Sequence, residues 1–124
     1  MKRDMDLVRS ILLCADEAEG PLDALDMANA KHPYEELCYH IDLLAHHGLL
    51  DATIEHSFAE RYAKCQVDGL TWEGCDYLDA IRDKHVWKRT KEVVSKAVGA
   101  TTMELVREAA VMVARNAIMS ALKP

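Results

Sequence analysis

The stretch Leu37-Cys38-Tyr39-His40-Ile41-Asp42-Leu43-Leu44-Ala45-His46-His47-Gly48-Leu49-Leu50 decides how the fold is read. Leu37, Ile41, Leu44 and Ala45 recur at helical spacing, so they form one buried stripe. Pro33 suits the first helical position, where its missing N–H costs nothing. Gly48 is placed to stop the helix in the left-handed conformation. Directly across that stop, Leu49-Leu50 and then Thr53-Ile54 read as a short strand. Residues 55–60 are polar and turn-like, and residues 61–67 alternate as a second, half-exposed strand that Asp68-Gly69 closes.

Working outward, residues 4–18 read as a helix with Leu7, Val8, Ile11, Leu12 and Ala15 on one face, ended by Gly20-Pro21. Residues 22–31 are ambiguous between one helical turn and a brief strand. Downstream, Thr71 caps a helix carrying Gly74, Tyr77, Leu78 and Ile81. An amphipathic run over 85–98 follows (Val86, Thr90, Val93, Val94, Ala97), stopped by Gly99. The last helix opens on a capping box, Thr101 to Glu104, and runs to about Leu122. This order predicts a mainly α (α+β) chain: a winged helix-turn-helix with a two-stranded wing and two additional C-terminal helices. The winged-helix domain spans 1–84, and 85–124 is a helical extension that serves oligomerisation.

The stretch from Leu37 to Leu50 resembles the recognition helix and first wing strand of bacterial winged-helix regulators, with His40-Ile41, Leu44 and Gly48-Leu49 at the matching positions. A broader resemblance covers most of the chain. It rests on Lys2 to Arg9, on Tyr39-His40-Ile41 with Leu43-Leu44, on Leu70-Thr71-Trp72-Glu73-Gly74, on Leu78 to Asp83, and on Val86-Trp87. These are similar to a family of small bacterial and prophage proteins described as a domain of unknown function with a winged-helix-like core. The resemblance implies a fold and a phage-associated context, and no activity.

The 124 residues carry a net charge of −6, which excludes a generally basic nucleic-acid binder. Its distribution says more. Residues 1–50 hold four Lys/Arg against ten Asp/Glu, residues 51–85 four against eight, and residues 86–124 seven against three. The body is therefore acidic and the tail basic. Glu35, Glu36, Tyr39, Asp42 and His46 would lie on the exposed face of the recognition helix, where DNA-binding relatives of this fold carry Ser, Arg or Lys. Tyr39, His46, Arg61 and Lys64 are the candidate nucleic-acid contacts, with Lys31, Lys88, Arg89 and Lys91 as backbone contacts. Trp72 and Trp87 could stack on bases, although tryptophans at such positions are more often core. The expectation is a DNA-associated regulatory module. Its alternative is a protein-interaction adaptor that uses an acidic winged-helix face.

Between 103 and 122 nearly everything beyond Glu104, Arg107, Glu108, Arg115 and Asn116 is apolar or small, too broad a surface to bury along one edge. This predicts a homodimer through the C-terminal helices, with Val106, Ala110, Val113, Ala117 and Met119 in the contact. Adjacent His46-His47, and Cys38 with His40, diverge around a helix, and the i,i+4 pair Asp42–His46 offers only two ligands. No metal site and no cofactor are expected. Phosphate-loop, H-E-x-x-H and G-x-S-x-G motifs are missing, so no enzyme is expected. With acids at Asp4 and Asp6 no secretory signal is expected, charges in the last helix argue against a membrane span, and the four scattered cysteines read as reduced thiols of a cytoplasmic protein.

Overall fold

Asp4 starts the first helix. Its carboxylate accepts from the amides of Asp6 and Leu7 while its own backbone stays extended, the geometry of an N-cap. From there α1 (Met5–Glu17) buries Leu7, Val8, Ile11, Leu12 and Ala15, the five positions that the spacing selects. The computed structural model describes residues 2–97 and 102–122. Over these residues the protein is mixed α+β and mostly helical, with six helices and a three-stranded antiparallel sheet. The chain divides into two compact units, Met1–Asp76 and Tyr77–Pro124.

In the first unit the ambiguous stretch after Pro21 adopts both alternatives in succession. β1 (Leu22–Asp23) is a two-residue strand, and Asp23 then caps the single turn of α2 (Ala24–Met27) by accepting from the Leu25 amide. The strand forms because β3 (Lys64–Leu70) offers it an edge, with Leu22 opposite Val67 and Asp23 opposite Gln66. The two-stranded hairpin expected from the sequence is therefore a three-stranded sheet in the order β1-β3-β2, and β3 has no open edge along those residues.

α3 (Tyr34–His46) follows Pro33 and buries Leu37, Cys38, His40, Ile41 and Leu44. Gly48, at φ 83°, turns the chain into β2 (Leu50–Glu55), a conformation that costs an L side chain energy. Asp68-Gly69 does not end the second strand. Asp51 faces Gly69 and Ala52 faces Val67, so Asp68 is the extra residue of a bulge and β3 continues to Leu70. Gln66 and Thr53 each donate to the Asp68 carboxylate at 2.7 Å and hold it below its ordinary range. At its other end β3 starts at Lys64, three residues later than the alternation suggests. Tyr62 is buried there: its carbonyl accepts from the Tyr34 hydroxyl at 3.1 Å, and its own hydroxyl donates to Asp42 at 3.4 Å. Those ties keep residues 61–63 in a turn.

Thr71 caps α4 (Trp72–Ile81). Its hydroxyl accepts from the Gly74 amide at 3.0 Å and donates to the Gly48 carbonyl at 2.6 Å. In the second unit, Asp83 caps α5 (Lys84–Ala97), which buries Trp87, Thr90 and Val94. α6 (Met103–Leu122) buries Met103, Val106 and Ala110. Its cap is Thr102, whose hydroxyl accepts from the Leu105 amide at 3.1 Å. The expected stop at Gly99 and the capping Thr101 lie outside the described residues. The buried Tyr77 hydroxyl donates to the Met103 carbonyl at 2.7 Å, and burial pushes its pKa well up. Among the described residues no helix is long and apolar enough to cross a membrane.

Candidate interaction site

α3 is fixed from beneath by His40, which is 1% exposed. Its Nδ1 lies 2.8 Å from the Glu36 carbonyl and its Nε2 2.8 Å from the Asp4 amide. A carbonyl only accepts and an amide only donates, so the two bonds together require the neutral ring with its proton on Nδ1. The cap of α1 and the body of α3 thus share one side chain.

Asp42, expected on the reading face, is half-buried and already engaged. It accepts from Tyr62, and its Oδ1 lies 3.0 Å from His46 Nδ1. The same ring nitrogen sits 2.8 Å from the Asp42 carbonyl. That carbonyl first, and then the Asp42 charge, raise the His46 pKa above 6.5. A raised folded-state pKa means that this contact stabilises below the unfolded pKa and is lost as pH rises through the folded one. Proton NMR titration should place the His46 midpoint above that of an unperturbed histidine. Asp42→Asn should bring it part of the way back, since the carbonyl remains, and an unchanged midpoint would refute the pairing.

The exposed residues of α3 are Glu35, Leu43 and His46, continued by His47, with no Lys or Arg among them. Glu36 and Tyr39 are half-buried, and the Tyr39 ring meets His40 edge-on at 5.6 Å. Lys31, Arg61 and Lys64 are exposed. The Arg61 guanidinium lies 5.7 Å from the Tyr62 ring centre, and Lys64 faces Glu55 across the strands. The first unit therefore holds Lys31, Tyr39, His46, Arg61 and Lys64. Lys88, Arg89 and Lys91 are exposed on α5 in the second, where Arg89 pairs with Glu92 at 3.4 Å and Lys91 lies 5.8 Å from the Trp87 ring centre.

Of the residues expected in a dimer contact, Val106 and Ala110 are buried, Val113 is half-buried, and Ala117 and Met119 are exposed.

Two aromatic side chains stand out at the surface. Trp87 is core, but Trp72 is 80% exposed and Phe58, in the hairpin loop, is fully exposed. Helical spacing carries the signal for Trp72: two residues before buried Gly74, it points about 200° away from it. Phe58 lies in a loop whose polar character hides a single large apolar residue. Leu25 and Leu43 are also exposed.

Asp4, His32 and Glu36 bring one potential ligand atom each within 4.8 Å of one another. Each also has a partner in the fold. Asp4 caps α1, while His32 Nδ1 and Glu36 Oε1 lie 3.1 Å apart. The trio reads as a polar seam between the start of α1 and the start of α3. The four cysteines are free thiols, and burial pushes the pKa values of Cys38 and Cys65 up, against the thiolate form.

No solved structure matches the chain. A protein of Haemophilus influenzae described as uncharacterized is 34% identical over 113 residues, covering 89% of this chain and 92% of the relative. Residues 2–101 match the family described as "Hypothetical protein (DUF2513)", a domain of unknown function, and the chain belongs to that family.

Proposed function

We propose that the first unit is a winged-helix arrangement, α3 in the place of the reading helix and the β2–β3 hairpin as the wing, in a small non-catalytic cytoplasmic protein of bacterial or prophage type. It works as an interaction module for a basic protein partner. The exposed surface of α3 carries this reading, because it offers no Lys or Arg to a phosphate and the charge that His46 can carry already faces Asp42. The unit around it holds six Lys/Arg against sixteen Asp/Glu. Such a field repels nucleic acid and attracts cationic protein surfaces. Trp72 and Phe58 supply the large exposed apolar groups that anchor protein contacts.

Parallel capture from host lysate and from sheared genomic DNA at low salt tests the reading. The expected result is a basic protein retained by the wild type and lost from both Trp72→Ala and Glu35→Lys, with no DNA enrichment. One observation favours a second reading, a DNA-associated regulatory module: Arg61 and Lys64 are exposed at the hairpin beside Phe58, and minor-groove binders combine cations with an apolar wedge. In that reading Tyr39 and His46 contact the duplex, with Lys31, Lys88, Arg89 and Lys91 on its backbone. DNA retained by the wild type and lost from the Arg61→Glu/Lys64→Glu variant would establish it and overturn the first. In either case we take the chain to be a homodimer through its second unit.

A further inference from the structure

Val111, Met112, Ile118, Met119 and Leu122 of α6 are all exposed, four of the five at 57% or more. Val111 and Ile118, like Met112 and Met119, are seven residues apart, and Leu122 follows Met119 by three and Ile118 by four, which places all five within one side of the helix with Arg115 among them. Between α6 and α5 runs a groove of about 270 Å³, lined among others by Val93, Val94, Leu105, Met112 and Val113. One helix thus carries exposed apolar side chains from Val111 to Leu122 and a largely apolar groove that begins at Leu105, the two overlapping at Met112.

We infer that two copies of the chain pair through α6, antiparallel about a two-fold axis at Val111–Met112, each Glu108 against the partner's Arg115. This rests on the dimer reading above and adds its geometry. An antiparallel two-fold lays the exposed C-terminal stretch of each α6 over the Leu105 end of the other's groove, with Ile118 level with the partner's Leu105. A parallel pair stacks projection on projection and leaves both grooves uncovered. The charges make the same choice. Glu108 and Arg115 are seven residues apart, hence two turns along one face. An antiparallel crossing between them forms two reciprocal opposite-charge pairs, whereas a parallel one sets Glu108 on Glu108 and Arg115 on Arg115. The interface is isologous and closes at two copies, as a two-fold requires. Both charged residues are exposed, so exchanging them leaves the fold of the single chain alone.

Sedimentation velocity on the full-length chain tests the pairing. The wild type should be a dimer. Arg115→Glu and Glu108→Arg should each raise the dimer dissociation constant about tenfold or more, because each replaces two attractions with two repulsions at close range. The double exchange Glu108→Arg/Arg115→Glu should return to within about threefold of wild type, and mixing the two single variants should restore dimers as heterodimers. A wild-type dimer indifferent to all four charge patterns, or a double exchange as weak as the single ones, would overturn the antiparallel register while leaving the dimer reading intact. A wild type that stays monomeric at high micromolar concentration would overturn both.

Discussion

Gly74→Ala should destabilise the first unit by about 3 kcal/mol, the upper range for forced overpacking, although alanine is the better helix former by about 1 kcal/mol. The reason lies at Leu49. A Cβ on Gly74 would stand 1.8 Å from the Leu49 carbonyl oxygen and 2.8 Å from its carbon. Both are backbone atoms at the start of the sheet, so no rotamer change relieves the clash. The first turn of α4 would have to move away, which breaks the bond from the Thr71 amide to that same carbonyl and strains the bond from the Thr71 hydroxyl to Gly48. Urea unfolding followed by far-ultraviolet circular dichroism measures the loss. Gly20→Ala is the control, since nothing lies within 4 Å of its would-be Cβ. A variant at 74 as stable as wild type would show that this close approach is not what seats α4.

His40→Ala should cost about 3 kcal/mol or more, the sum of a buried cavity and two lost hydrogen bonds. The chemical part separates from the packing part by substitution. Leucine restores most of the volume but leaves the Asp4 amide without its acceptor, and should remain about 2 kcal/mol below wild type. Glutamine carries both an acceptor and a donor and should recover part of that difference. Hydrogen exchange in the first turn of α1 should accelerate in the alanine and leucine variants, because the ring accepts from the residue that caps this helix. Leucine as stable as histidine would show that the ring acts only by filling space.

The same residues explain why some of the molecule is legible in the sequence and some is not. Along α1, five apolar residues at helical spacing name the buried face without any tertiary information. Gly48 likewise marks the end of α3, since a left-handed residue after an apolar run has few other uses. Short elements resist such reading. β1 is two residues long, and nothing in Leu22-Asp23 distinguishes strand from turn until β3 offers an edge. Asp68-Gly69 has the composition of a strand end, yet side-chain bonds from Thr53 and Gln66 hold it inside the strand as a bulge.

The candidate site divides in the same way. That the first unit is acidic and that α3 lacks an exposed cation follow from counting and periodicity. Which acid is engaged does not. Asp42 sits at an outward helical position, and only the fold brings the Tyr62 hydroxyl to it, twenty residues further along the chain. The two tryptophans have opposite fates, Trp87 in the core and Trp72 at the surface, and here helical spacing does separate them: Trp72 points away from buried Gly74, whereas Trp87 lies seven residues before buried Val94 on the same face.

By itself, then, the sequence determined the long helices, their buried faces and the sign of the charge along the chain, because these depend on periodicity and composition, which are local. Tertiary structure decided the third strand, the bulge, the contact of Gly74 with Leu49 and the exposure of Phe58. Each of these depends on which distant backbone atom or side chain arrives at a given point, and that is a property of the folded chain as a whole.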